Sequence, residues 1–138
     1  MRPILALLAM ACVGAAAPGR LDVELHGLRN ARGDIRLCLS RSPDRFPDCA
    51  GDPTARSLTV KAGGAVSFDG LPAGDYALAL FHDENRNGRL DTFAKIPREG
   101  FGFSRNPGVR FGAPSYAEAR FRISGGDSVQ RVQMRYLL

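Results

Sequence analysis

Apolar and polar residues alternate with a period of two along much of this chain. In "LDVELHGL", Leu21, Val23 and Leu25 fall on one side and Asp22, Glu24 and His26 on the other. In "GDIRLCLS", Ile35, Leu37 and Leu39 oppose Arg36, Cys38 and Ser40. This is the signature of half-buried β-strands, and the intervening "RNARG" predicts a turn that makes them an N-terminal hairpin. "SLTV" and "AVSF", separated by "KAGG", predict a second strand pair. Tyr76 to His82 is apolar on both sides, with Tyr76, Leu78 and Leu80 against Ala77, Ala79 and Phe81. That pattern belongs to an interior strand covered on both faces. "ARFRIS" and "VQMRY" alternate again near the end. No segment after the leader has a helical period. The expected fold is all-β, a single antiparallel β-sandwich of about seven strands with immunoglobulin-like layering.

Two stretches break the alternation. "RSPDRFPDCAGDPTAR" is Pro-rich and reads as a loop. From Phe93 to Tyr116 the chain is rich in Gly, Pro and aromatic residues, too long for a plain connector. Phe101, Phe103, Phe111 and Tyr116 stand there among glycines. They predict an ordered flap, packed over one open end of the sandwich and serving as a recognition surface or as a cap on the core.

The first residues carry Arg2, an apolar run too short to cross a bilayer, and the small residues Ala15 to Ala17. This reads as a signal peptide over residues 1–17, leaving residues 18–138 as one domain exported to the periplasm or secreted. Ala9, three residues before Cys12, stands where a lipidation motif would carry Leu. Cleavage leaves Cys38 and Cys49, and an even pair in an oxidising compartment predicts a disulfide bond. The formal net charge of +5 is spread over scattered arginines, with no polybasic block and no basic face interleaved with aromatics. Nucleic acid is therefore not an expected partner. No later apolar run is long enough to form a transmembrane segment.

Candidate chemistry concentrates in "FHDENRNGRLDT". On a twelve-residue calcium loop starting at Asp83, Asn85 and Asn87 take positions three and five. Gly88 takes the bend, the Arg89 carbonyl position seven and Asp91 position nine. Position twelve is Ala94, where a bidentate carboxylate is expected, and no spacing rule brings Glu99 there. Any calcium affinity is then weak, about 10⁻⁴ to 10⁻³ M. The competing reading is a turn: Asn-Gly suits a type I′ turn, and Asp and Asn bond their own backbone. Catalytic readings are poorer. His26 sits on a polar strand face, and His82 has no evident nucleophile beside it. Asp83 and Asp91 as paired hydrolytic carboxylates are a minor alternative.

"FHDENRNGRLDT", "IPREGFGFSRN", "RFGAPSY" and "VQMRY" occur in an order that resembles the bacterial domain-of-unknown-function family 2141. The resemblance spans Leu21 to Tyr136 and implies an exported β-sandwich with no catalytic residues to transfer. "GLPAGDYALAL" is similar to the turn and strand of prealbumin-like and collagen-adhesin B-type sandwiches. The sequence thus points to a non-catalytic binding or interaction module of the cell envelope, with an envelope protein or glycan as partner. The alternative is a structural accessory domain without metal.

Overall fold

The computed structural model describes residues 17–108 and 112–138. The leader reading, with Cys12, and Phe111 of the expected flap lie outside the described residues. No helix among the described residues is long and apolar enough to cross a membrane.

The architecture is two packed sheets. The first has the order β10-β1-β4, with β1 at Gly19–His26, β4 at Val66–Leu71 and β10 at Gly126–Gln133. The second has the order β3-β2-β5-β8, with β2 at Asp34–Ser40, β3 at Arg56–Lys61, β5 at Gly74–Asp83 and β8 at Phe101–Phe103. β9, at Phe121–Ile123, pairs with the beginning of β5, and β8 pairs with its later half. β6, at Thr92–Phe93, and β7, at Ile96–Pro97, form a separate small hairpin.

The alternating residues take the faces their pattern predicts. Leu21, Ile35, Leu39, Tyr76, Leu78 and Val132 are fully buried between the sheets. β5 is covered on both sides, since Ala77 and Ala79 are buried as well. The pairings differ from expectation. β1 and β2 are not a hairpin; they lie in different sheets, and so do β3 and β4. The physical reason is that alternation fixes which face of a strand is apolar, not which strand lies beside it. Two strands that follow one another can bury their apolar faces against each other across the core instead of side by side. One pairing is parallel: β10 runs alongside β1 from Gly19 opposite Gly126 to His26 opposite Gln133.

One side of the sandwich is knitted shut. Phe101 and Arg135 exchange two backbone hydrogen bonds, of 3.1 and 2.9 Å. The Asn106 side chain then substitutes for a strand neighbour, donating to the Arg131 carbonyl at 3.0 Å and accepting from the Gln133 N–H at 2.8 Å. An otherwise bare sheet edge is thereby covered. Gly102 allows this approach, because a Cβ there would stand 2.5 Å from Cγ1 of Val132.

Cys38 and Cys49 are bonded, with Cα atoms 5.6 Å apart. Cys38 lies on the outer side of β2, so the bridge fastens the loop between β2 and β3 to the outer face of the second sheet. Phe46 from that loop packs edge-on against Phe103 and Tyr116, at ring separations of 6.2 and 6.1 Å. A single helical turn, α1 at Tyr116–Ala119, begins with a reciprocal capping box between Ser115 and Glu118.

Candidate functional site: the Asp83 loop and the outer-face cleft

The loop after β5 is organised by Asp83. Its side chain is fully buried. Oδ1 accepts from the Asn87 N–H at 3.1 Å, and Oδ2 accepts from the Gly88 N–H at 2.8 Å. Oδ2 also accepts from Nε of Arg36 at 2.8 Å. Asn85 and Asn87 each accept a main-chain N–H two residues on, from Asn87 and Arg89. Gly88 has φ of +78°, a conformation an L side chain enters only with strain. The alternating oxygens therefore bend the chain through Asx turns.

Asp91 faces the loop from its other end. Its carboxylate accepts from the side-chain amides of Asn85 and Asn87, both at 2.7 Å. The Asn87 bond, then the Asn85 bond, holds the Asp91 carboxyl below the usual aspartate range, against the opposing effect of burial. Glu99 folds back across the hairpin formed by β6 and β7. It is 5% exposed and accepts from the N–H groups of Glu84 at 2.7 Å and Asp91 at 3.0 Å. Arg89 donates its N–H into the turn and is otherwise exposed. Among the described residues, no three His, Cys, Asp or Glu side chains are grouped to hold a metal ion.

Beneath the loop, His82 is fully buried with both ring nitrogens engaged. Nε2 lies 2.6 Å from the Arg32 carbonyl and Nδ1 lies 2.8 Å from the Tyr136 hydroxyl. A carbonyl only accepts, so Nε2 carries a proton and donates it to Arg32, while Nδ1 pairs with the Tyr136 hydroxyl. Arg29 lies over the Tyr136 ring at 4.5 Å and donates to Glu84. Burial pushes the Glu84 carboxyl up, but hydrogen bonds from Asn30 and Arg29 outweigh it and leave the group lowered. His82 therefore serves as a structural link. Asp83, buried against Arg36 and two N–H groups, offers no free face to a substrate.

The flap aromatics take different places. Phe101 and Phe103 lie on β8, opposite Phe81 and Ala79 of β5. They stand on the outer face of the second sheet and not over an open end of the sandwich. Tyr116 begins α1 and packs on Phe46. Two adjoining cavities open on this outer face, of about 250 Å³ and about 330 Å³. Pro47, Leu90, Phe101 and Phe103 line both, so they form one apolar cleft. One wall is the disulfide-fastened loop. Leu90, at the end of the Asp83 loop, belongs to this cleft and not to the core between the sheets.

Sequence reasoning did not single out Arg36, Phe46, Pro47, Lys95 or Arg135. Arg36 was legible as an outward residue of β2, but its pairing with Asp83 depends on register. Nothing in the spacing marks the others as neighbours.

A family model described as "Uncharacterized protein conserved in bacteria (DUF2141)" matches residues 23–131. Neither the curated proteins nor the solved structures give a significant match.

Proposed function

The chain belongs to the bacterial DUF2141 family, and from that premise we propose that it is an exported, non-catalytic binding module whose ligand surface is the outer-face cleft. The observation that carries this reading is the shared lining of the two cavities by Pro47, Leu90, Phe101 and Phe103. A concave apolar surface on a rigid sheet, framed by loops, is the usual form of a small-ligand site. The disulfide supports the rigidity of one wall and, with the leader-like residues 1–17, supports export. The apolar lining favours a small apolar ligand over a glycan. Titration with the neutral dye phenylnaphthylamine tests the reading. The protein is expected to enhance its fluorescence saturably, and Leu90→Asp, which plants a charge in the cleft, is expected to abolish the enhancement. No enhancement with the wild type would overturn the reading and leave a structural accessory domain.

A weak calcium site in the Asp83–Asp91 loop is the second reading, favoured by Glu99. This buried carboxylate is held by two main-chain N–H groups and by no cationic side chain among the described residues. A buried charge without a counter-charge is costly. Calcium would take the role that the Asn85 and Asn87 amide groups now fill at Asp91, with the side-chain oxygens of Asn85 and Asn87 and the Arg89 carbonyl as further donors, while Asp83 stays with Arg36 and shapes the turn. Glu99 would stand in for the carboxylate missing at Ala94. Millimolar calcium is expected to raise the thermal midpoint of the wild type and not that of Asp91→Asn, with no effect of magnesium on either. An unchanged wild-type midpoint would leave the loop as a turn.

A further inference from the structure

We propose that the cleft selects a ligand with an apolar body and one anionic group, the anion lying between Lys95 and Arg135. This inference rests on the cleft being a binding site. Where the cleft reaches β7 and the C-terminal segment, its cavity of about 250 Å³ is lined by Leu90, Pro97, Phe101 and Phe103 together with Lys95 and Arg135. Among the described residues, no acidic one lines this cavity. Around the neighbouring loop, Arg36 is paired with Asp83, Arg29 and Arg32 with Glu84, and Arg86 with Asp34; Arg89 and Arg98 are exposed and line neither cavity of the cleft. Lys95 and Arg135 have no acidic partner among the described residues. Lys95 is exposed and Arg135 half-buried, so the aromatic and aliphatic walls strengthen the attraction for an anion at Arg135, and Lys95 adds a second positive charge from the rim.

The backbone fixes both positions. Arg135 is held by its two main-chain hydrogen bonds with Phe101. Lys95 is the second residue of the two-residue turn joining β6 to β7, and Ala94 and Lys95 have φ of +49° and +67°. Such turns ordinarily use Asn and Gly, which enter this region cheaply. Strain of this kind persists where the surroundings impose it and gathers at ligand sites. Asp48 lines the adjoining cavity and not the one that holds Lys95 and Arg135. Its charge orients the ligand, apolar body toward Pro47 and anionic group toward Lys95. The ligand class is therefore a small carboxylate, sulfonate or phosphate monoester on an aromatic ring or short alkyl chain.

Two dyes that differ by one sulfonate, anilinonaphthalene sulfonate and phenylnaphthylamine, separate this inference from the reading beneath it. The wild type is expected to bind the sulfonate about tenfold more tightly than the neutral amine, the scale of one charge-assisted contact. In the double variant Lys95→Asn, Arg135→Gln the ratio of the two affinities is expected to fall close to one. Asn tolerates the positive φ at position 95. Lys95→Asn alone, on an exposed turn, reads the same ratio should the double variant be unstable. Equal affinities in the wild type, or a preference that survives in the variants, would overturn the anionic selection while leaving an apolar cleft. Binding of neither dye would overturn the binding reading and this inference together.

Discussion

Arg36 and Asp83 form an ion pair of 2.8 Å between Nε and Oδ2, in which the carboxylate is fully buried and the guanidinium is about a third exposed. The pair joins β2 to the end of β5 and neutralises the acid that shapes the loop. Asp83→Ala removes the acceptor of two loop N–H groups and leaves Arg36 without its partner. It is expected to lower stability by about 3 kcal/mol. Arg36→Met leaves the buried carboxylate with its two N–H donors and is expected to cost less. The combined variant is expected to lose less than the two single losses added together. Urea denaturation measures all three, and strict additivity would mean that the two residues act independently.

The disulfide is expected to matter twice. Reduction removes a cross-link over 11 residues of sequence separation, which costs about 3 kcal/mol in the chain-entropy model. It also frees the wall that carries Pro47. Thermal unfolding with and without reductant should show the first effect, and dye titration of the still-folded reduced protein the second. Unchanged dye affinity after reduction would show that the loop does not shape the cleft.

The acid limb of the stability curve has a named contributor in Asp52. The hydroxyl of Thr54 donates to its Oδ1 at 2.7 Å and the Thr54 N–H at 2.9 Å. The Thr54 hydroxyl first, then Ser42, lowers the Asp52 carboxyl below its ordinary value of 3.8. A lowered folded-state value means stability that is present above the ordinary carboxylate range and is lost as pH falls through the folded value. The Asp52 contribution is therefore complete above about pH 5 and fades below about pH 4. Asp52→Asn is expected to flatten the fall in stability across that window, and an unaltered acid limb would count against the assignment.

Gly102 lets β8 lie against Val132. Gly102→Ala is expected to lower the thermal midpoint, because its Cβ would overlap a fully buried, β-branched side chain. Overpacking of this kind costs about 1–3 kcal/mol. Gly108→Ala, with no atom of the described residues within 4 Å of the added Cβ, is the control and is expected to change stability little.

The sequence made the faces of the strands legible but not their neighbours. Leu21, Val23, Ile35 and Leu37 were assigned to the core by alternation alone, and all are buried. Alternation is a property of one strand, whereas pairing is a property of two, so β1 and β2 could not be told from a hairpin. The residues of the Asp83 loop were visible because Asx turns are local chemistry. Glu99 was visible as a carboxylate that could fold back, but no spacing rule placed it, because an eight-residue excursion through β6 and β7 separates it from the Asp91 N–H it accepts. Phe101 and Phe103 were recognised as residues, but their placement needed the long-range pairing with β5. The turn of α1 did carry a signal, Ser115 followed by Glu118 three residues later, too short to register as a period. The cleft could not be read at all, since Pro47, Leu90 and Phe103 come from three separate segments.

The account stands or falls on where an apolar ligand sits. Amide chemical-shift mapping of the isotopically labelled protein during titration with phenylnaphthylamine measures this directly. Saturable shifts are predicted to cluster at Asp48, Leu90, Phe101, Gly102 and Phe103. Shifts confined to the exposed hairpin residues Phe93 and Ile96, or an absence of saturable shifts, would contradict a binding cleft on the outer face of the second sheet.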